Sequence, residues 1–349
     1  MYKTVGVCGF VSTGSSAIVD FLKEFDENKI FDSLEFFLSY VPDGLVDLYY
    51  HLFDGFLYRD SSIVAIERFL RLCHGNALKS LNKATGGRFI TLSDNFIDAI
   101  TLLCWKGRTR ADYYLYPSSR RELFRYTAYA LKRITLLLES VIKVKINLLR
   151  THQYRFTVAP EDFILLAQKY VRDILACFYE DEYFGNYILD QPYSPTNPQK
   201  CFPFFDNPSA VIVDRDPRDL YLHGEKFLRP RSGRMYPSGN VYDFVKYFRR
   251  SRQSMNMSNK DLRIIYVQYE DMVYEYKNTT KRIEEFLSLN NHNNPKKWFD
   301  PEKSINNTQL VTRFPEYEKD VAYIEAQLPE YLYNFNRYPT NIPMGPMIC

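Results

Sequence analysis

The sequence lacks the usual marks of several classes of protein. Its six cysteines are widely scattered, none forms a C-x-x-C pair, and no histidine lies at metal-ligand spacing beside them. We therefore expect buried thiols in a reducing compartment, and no metal site. No apolar run is long enough to cross a membrane, and the first residues lack the charged-then-apolar order of a secretory signal. These absences predict a cytoplasmic protein without a transmembrane segment.

Excess charge is also missing. The 45 basic and 42 acidic residues leave a formal net charge of +3, so no overall basic field predicts a nucleic-acid partner. A hydrophobic content of 46% over 349 residues is enough for a sizeable core in one large or two ordinary domains.

The stretch Thr4–Phe25 organises the chain. A short apolar run at its start predicts a buried strand, residues 9–16 are small and turn-like, and residues 17–25 have the apolar spacing of a helix. A strand, a glycine turn and a helix form a cradle for phosphate, because backbone N–H groups at the helix start face the anion. The alternative is a plain glycine turn.

This turn is close to the nucleotide-binding pattern G-x-x-x-x-G-K-[ST]. Gly9, Gly14 and Ser16 match the pattern, but Ser15 stands where the lysine belongs. Because that lysine normally contacts the β- and γ-phosphates, the loop predicts a phosphate ligand and argues against ordinary ATP hydrolysis. Gly14 is expected where a side chain would meet the ligand or strain the turn.

A second candidate anion site follows the predicted strand Ala210–Asp214. Arg215 comes directly after this strand and before a Pro-containing helix start, so its guanidinium is expected to bind a phosphate through two hydrogen bonds. Two alternatives are open. Arg215 and Arg218 could form an ion network with the neighbouring aspartates, or Asp214 could hold Mg²⁺ at the end of its strand, as in a P-loop kinase.

Four stretches in order resemble motifs of sulfotransferases that use 3′-phosphoadenosine 5′-phosphosulfate (PAPS). Residues 12–17 resemble the 5′-phosphosulfate loop, K/R-S-G-T-T-x, with Ser12 in place of the basic residue. Residues 215–219 resemble the 3′-phosphate motif R-[ND]-P-[RK]-D, and residues 269–272 resemble Y-E-D-[LM]. Residues 303–308 resemble a K-S-x-x-N-T segment of bacterial carbohydrate sulfotransferases that closes over the nucleotide.

The resemblance implies PAPS as cofactor, adenosine 3′,5′-bisphosphate (PAP) as product, and no metal. His223 stands where the family has a second 3′-phosphate ligand, a serine, and Ser232 is the alternative. Lys226 and Arg155 are candidates for the missing loop cation. The cofactor-binding residues that the resemblance implies are Ser12, Thr13, Gly14, Ser15, Ser16, Ala17, Arg215, His223, Tyr269, Ser304, Asn307 and Thr308.

The resemblance also implies a carboxylate general base. Glu35 follows the first crossover, where glycan-modifying members of the family carry a glutamate, and its apolar neighbours are expected to raise its pKa. Asp190 and His223 are competing bases, because each lies at or beyond the end of a predicted strand.

The predicted fold is α/β, with a P-loop-type parallel sheet flanked by helices and a large, mostly helical insertion. Residues 1–44 and 184–315 are assigned to the core, and residues 316–349 to a C-terminal helix and tail. Residues 45–183 form the insertion, an expected cover for the acceptor, with helices over 63–81, 95–105, 122–149 and 161–179. The predicted function is in-line transfer of a sulfuryl group from PAPS to a carbohydrate hydroxyl; the alternatives are a P-loop kinase and a non-catalytic nucleotide-binding protein.

Overall fold

The computed structural model describes residues 2–31, 34–107, 109–115, 126–127, 130, 133–137, 152–178, 185–253, 255, 261–341 and 345–347. The described strands are β1 (Lys3–Gly9), β2 (Asn28–Phe31), β3 (Leu103–Gly107), β4 (His152–Phe156), β5 (Asn186–Asp190), β6 (Pro208–Asp214) and β7 (Ile264–Gln268). The helices used below are α1 (Ser15–Leu22), α2 (Leu45–Leu52), α3 (Arg59–His74), α4 (Lys79–Ala84), α5 (Arg88–Ile100), α6 (Asp112–Leu115), α7 (Phe163–Leu175), α8 (Pro217–His223), α9 (Arg229–Ser232), α10 (Val241–Gln253), α11 (Tyr269–Tyr274), α12 (Tyr276–Leu287), α13 (Pro301–Ser304) and α14 (Glu318–Gln327).

The chain forms two compact units. The first unit contains Met1–Ser39 and Asp181–Cys349, and the second is Tyr40–Glu180. The second unit is therefore inserted between β2 and β5 of the first. In the described part of the chain, no helix combines the length and the apolar character needed to span a bilayer.

The first unit is built on a five-stranded parallel sheet in the order β2-β5-β1-β6-β7. The central strands β1 and β6 are buried on both faces, which explains their continuous apolar sequences. Helix α1 covers the sheet with Ile18, Phe21 and Leu22, all fully buried. The predicted α/β class with a parallel sheet flanked by helices is confirmed.

The strand order creates a crevice at the carboxyl edge of this sheet. The chain leaves β1 for β2 on one side, whereas it leaves β6 for β7 on the other side. Ligands of open α/β sheets bind at such a reversal point. The loops after β1, β6 and β7 therefore line the candidate site.

The second unit combines helices α2 to α7 with a hairpin of β3 and β4. The helix predicted over 95–105 is wrong at its end, because α5 stops at Ile100 and residues 103–107 pair with residues 152–156. That pairing joins segments about 50 residues apart, which a local apolar pattern does not reveal. The helix predicted over 161–179 is confirmed as Phe163–Leu175, and most of the one predicted over 122–149 lies outside the described residues.

Candidate functional site

The loop after β1 is a tight turn with two residues in left-handed conformations. Ser12 has φ 62° and Gly14 has φ 92°. Thr13 lies between them with no exposed surface, and its hydroxyl group is 2.8 Å from the carbonyl oxygens of both Phe10 and Val213. The side chain of Thr13 therefore ties the loop to β6, and helix α1 starts immediately after the turn.

The N-terminus of α1 offers the donors that an anion needs. Ser15 and Ser16 are in its first turn, where backbone N–H groups have no acceptor within a helix. The side chain of Ser16 is exposed, whereas Ala17 is buried and donates its N–H to the carbonyl of Gly14 at 3.1 Å. This hydrogen bond from Ala17 closes the turn on its buried side.

Gly14 is required by its left-handed backbone, the strained turn that the sequence predicted as one possibility, and also by a neighbouring ring. A Cβ atom added at Gly14 would lie 2.3 Å from Cδ2 of Tyr269. Tyr269 is the first residue of α11 and is 3% exposed. Because the ring is held in the core beside α1, a side chain at position 14 would collide with packed protein.

Gln191 is a member of the site that the sequence analysis missed. It follows β5 with φ 53° and is 7% exposed. Its Oε1 accepts the backbone N–H of Gly9 at 3.1 Å, and its Nε2 lies 3.0 Å from Oγ of Ser15. Asp190 was a candidate because it ends a strand, and Gln191 follows it at the same edge of the sheet. The sequence does not reveal the role of Gln191, because one of its partners is the backbone N–H of Gly9.

Arg215 reaches the loop after β1 from the end of β6. Its guanidinium donates to the carbonyl of Ser12 at 3.3 Å and to the carbonyl of Asn307, and it lies over the ring of Tyr269 at 5.1 Å. Arg215 is 3% exposed, and its Nε has no hydrogen-bond partner among the described residues. Among the described residues, no carboxylate oxygen lies within 4.0 Å of its guanidinium nitrogens as an ion pair.

The neighbouring arginines behave differently. Arg218 pairs with Asp216 at 2.7 Å and with Glu325 at 2.8 Å. Arg252 makes two contacts with Asp214, at 2.8 and 3.1 Å, between the rings of Phe10 and Phe248. The alternative of an ion network thus describes Arg218 but not Arg215.

The pairing of Asp214 also bears on the kinase alternative. Both of its carboxylate oxygens accept from Arg252, and one also accepts the N–H of Arg215 at 2.9 Å. A Mg²⁺ ion at this carboxylate would have to displace a guanidinium that is 2% exposed. Among the described residues, no group of three or more His, Cys, Asp or Glu side chains has the geometry of a metal site.

The segment around residues 303–308 lies against Arg215 and Tyr269. The hydroxyl group of Tyr269 donates to the carbonyl of Ser304 at 3.0 Å, and the amide of Asn307 lies 3.4 Å from that hydroxyl oxygen. Thr308 is fully buried and shares a hydrogen bond of 2.6 Å with Tyr274. The four stretches singled out in the sequence therefore meet at one edge of the sheet, although Ser304, Asn307 and Thr308 are themselves buried.

Buried carboxylates lie beneath this edge. Asp216, Asp219 and Glu270 are at most 1% exposed. Asp219 accepts the N–H groups of Gln309 and Leu310 at 2.9 and 2.7 Å, and burial together with the charge of Asp216 raises the pKa of Asp219 to about 6. Burial and both aspartates raise the pKa of Glu270 well above its usual value, while Arg215 acts in the opposite direction.

The three candidate bases differ in position. Glu35 is exposed four residues after β2, and partial desolvation raises its pKa. The N–H of the next residue, Phe36, donates to the carbonyl of Asp190 at 2.7 Å, which places Glu35 beside the end of β5. His223 is 3% exposed at the end of α8 and stacks on Phe227 at 4.6 Å. Burial makes His223 the least accessible of the three.

The candidates for a loop cation are engaged elsewhere. Lys226 pairs with Glu316 at 2.7 Å and lies over the rings of Phe314 and Tyr317. Arg155 belongs to the second unit, where it pairs with Asp98 at 3.0 Å. Ser232, the alternative 3′-phosphate ligand, is exposed in α9.

Comparison with known proteins finds low similarity throughout. No protein-family profile matches the sequence, and no curated protein matches it. The sulfotransferase domain of the Synechococcus PCC 7002 olefin synthase aligns over 95% of this chain and 94% of its own, with 11% identity and a TM-score of 0.40. The sulfotransferase STF1 of Mycobacterium tuberculosis H37Rv aligns over 95% and 77%, with 12% identity and a TM-score of 0.39. The sulfotransferase STF9 of Mycobacterium avium aligns over 98% and 78%, with 11% identity and a TM-score of 0.35.

Proposed function

We propose that the chain is a sulfotransferase that moves a sulfuryl group from PAPS to a hydroxyl group of a carbohydrate. The observation that carries the proposal is the burial of Arg215 without an ion pair among the described residues. Its guanidinium is buried against the carbonyl of Ser12 and makes no ion pair among the described residues. The buried carboxylates of Asp219 and Glu270 interact electrostatically with this charge, but neither forms an ion pair with it, and Nε of Arg215 has no hydrogen-bond partner among the described residues. The guanidinium therefore keeps donor capacity for an anion that a ligand would bring.

Two candidate anion positions lie close together at this edge. One is the first turn of α1, and the other is Arg215, which is hydrogen-bonded to the loop before that helix. A nucleotide with phosphates at both the 5′ and the 3′ position matches two such positions, and PAP is of this kind. Residues 12–17 would hold the 5′ group, and Arg215 the 3′-phosphate. Tyr269, Ser304, Asn307 and Thr308 would support the nucleotide side of the site.

The absence of the loop lysine argues for the same ligand class. Ser15 provides a neutral hydroxyl group where an ATPase has a cation, and Asp214 is neutralised by Arg252. Lysine and a Mg²⁺ ligand are the parts that ordinary phosphoryl transfer from ATP requires. The kinase alternative therefore lacks both of its main groups here.

Sulfuryl transfer needs few protein groups. PAPS supplies an electrophilic sulfuryl group, which passes to the acceptor oxygen as its bond to the 5′-phosphate oxygen breaks. Glu35 is the proposed acceptor of the hydroxyl proton, because its raised pKa suits a general base. Asp190 is the nearest competitor. The carbohydrate acceptor is proposed from the likeness of residues 303–308 to bacterial carbohydrate sulfotransferases.

Calorimetry with PAP, 5′-AMP, ATP and ATP plus Mg²⁺ tests the proposal. Arg215→Ala removes a charge-assisted contact, which is worth about 2–3 kcal/mol. We expect PAP affinity to fall by about 30- to 150-fold and 5′-AMP affinity to change little. Arg250→Ala is the matched control, because it removes an exposed arginine whose one side-chain hydrogen bond within the described residues is to Gln253.

Three outcomes would contradict parts of the proposal. Equal losses for PAP and 5′-AMP would make Arg215 a structural residue. Binding of ATP that depends on Mg²⁺ and exceeds that of PAP would favour a kinase. PAP binding without release of PAP from PAPS, in the presence of a panel of glycans, would favour a non-catalytic nucleotide-binding protein.

A further inference from the structure

We propose that Gln191 is a positioning residue that turns the hydroxyl proton of Ser15 toward the bound anion; this inference rests on the proposed function of the site. Gln191 is held rigidly at the end of β5. Its N–H donates to the carbonyl of Val7 at 2.9 Å, its backbone is left-handed with φ 53°, and it is 7% exposed. Its side chain therefore spans a fixed gap between Gly9 and Ser15.

The hydrogen bond to Gly9 decides which way the amide of Gln191 faces. A backbone N–H can only donate, so the amide atom 3.1 Å from the nitrogen of Gly9 must be the oxygen. The amide nitrogen then lies 3.0 Å from Oγ of Ser15. The usual ambiguity between the oxygen and nitrogen of a glutamine amide is thereby removed.

The direction of the second hydrogen bond follows from the first. An amide NH₂ group has donors and no acceptor, so Oγ of Ser15 must accept from Gln191. The single proton of the Ser15 hydroxyl group cannot point at Gln191 and is available to another acceptor. Ser15 lies in the first turn of α1, where backbone N–H groups also face outward. The structure thus assigns to Ser15 the role of a neutral donor at the position of the missing lysine.

A double-mutant cycle tests whether Gln191 acts through Ser15. Gln191→Met keeps the length of the side chain and removes both amide atoms, and Ser15→Ala removes the hydroxyl group. We expect each single substitution to weaken PAP binding about tenfold, the lower end of the range for one hydrogen bond to a charged group. In the Ser15→Ala background, Gln191→Met should cost no more than about threefold, because the donor that it orients is gone.

A pH profile of Gln191→Glu gives an independent reading. An ionised glutamate accepts from both Gly9 and Ser15, so it turns the hydroxyl proton inward and adds negative charge at the anion site. When protonated, the same side chain donates to Ser15 as glutamine does. We expect PAP affinity of Gln191→Glu to recover at least tenfold, relative to wild type, as the pH falls through the titration of the new carboxyl group. Gln191→Met should show no such recovery.

The same measurements with inorganic pyrophosphate separate this inference from the proposed function. Pyrophosphate reports on the loop alone, whereas PAP also requires the 3′-phosphate site. Coupling between Gln191 and Ser15 for pyrophosphate, together with no PAP binding by wild type, would overturn the proposed function and leave the inference standing. An equal effect of Gln191→Met in both backgrounds, or a pH profile of Gln191→Glu that parallels wild type, would reduce Gln191 to a brace for Gly9. A folded wild type that binds neither probe would overturn both.

Circular dichroism spectra establish that each variant is folded, and Gln191→Glu provides the pH reading if Gln191→Met does not fold.

Discussion

Substitution of Gly14 by alanine is expected to destabilise the first unit by two separable effects. Gly14 begins α1 with φ 92° and ψ 26°, a left-handed conformation that costs an alanine about 1–2 kcal/mol. The new methyl group would also lie 2.3 Å from the ring of Tyr269, and overpacking of a buried site costs about 1–3 kcal/mol. We therefore expect a total loss of about 2–5 kcal/mol in the free energy of unfolding.

Gly87 provides a matched control for the backbone effect. It precedes α5 with φ 85° and ψ −4°, and a methyl group there would have no atom within 4 Å. Gly87→Ala should cost only the 1–2 kcal/mol of backbone strain. The additional free-energy cost of Gly14→Ala, compared with Gly87→Ala, should disappear when Tyr269→Leu removes the ring edge. The effects of Gly14→Ala and Tyr269→Leu on unfolding should therefore be less than additive.

The two tryptophans allow each unit to be followed by itself. Trp298 belongs to the first unit and Trp105 to the second. Urea unfolding followed by fluorescence in a Trp105→Phe background reports on Gly14→Ala, and in a Trp298→Phe background on Gly87→Ala. Equal costs for the two alanines would mean that the ring of Tyr269 does not press on Gly14, and the account of this loop would be wrong.

Three further perturbations test the charges around the site. Arg252→Met leaves Asp214 without its partner and should cost about 3 kcal/mol in urea unfolding, the lower end of the range for a broken buried pair; adding Asp214→Asn should restore most of it. Asp219→Asn cannot ionise, whereas the raised pKa of Asp219, about 6, makes the wild type lose stability as the pH rises from about 4 to 6. The cost of Asp219→Asn should therefore be largest near pH 4 and smaller by up to about 3 kcal/mol at pH 7. Glu35→Gln should lower turnover by about 10²- to 10⁴-fold with little change in PAP affinity, and Asp190→Asn should do much less.

Each of these expectations has a clear opposite. No rescue of Arg252→Met by the second substitution would show that packing between the two phenyl rings, and not the charge, is what is lost. A pH-independent cost of Asp219→Asn would mean that Asp219 stays ionised in the folded protein. Turnover of Glu35→Gln within a few fold of wild type, together with a large loss in Asp190→Asn, would transfer the role of base to Asp190.

Strand ends were the part of the site that the sequence could predict. The loop after β1, Arg215 and Tyr269 each follow an apolar run, and parallel strands bring their carboxyl ends to one edge. Local patterns therefore sufficed to place these residues together. They also sufficed for the parallel sheet, because its central strands are continuous apolar runs.

The sequence could not predict which partner each side chain of the site contacts. Arg215, Arg218 and Arg252 have the same chemistry, but only distances in the fold decide which two are paired with carboxylates. The contact of Gln191 with Gly9 involves a backbone N–H, which has no signature in the sequence. Tyr269 was expected to bind the cofactor, but the requirement for glycine at position 14 depends on where its ring packs.

The insertion of the second unit has a consequence for how the protein emerges from the ribosome. Among the strands that the structure describes, β1 pairs with β5 and β6, and β2 pairs with β5. About 150 residues separate the end of β2 from β5, which corresponds to on the order of 10–30 s of synthesis. During that time the first two strands have no partner in the sheet. Because Gly9 is held by Gln191 and Thr13 by the carbonyl of Val213, the loop after β1 is made first but cannot take its final shape until β6 has followed.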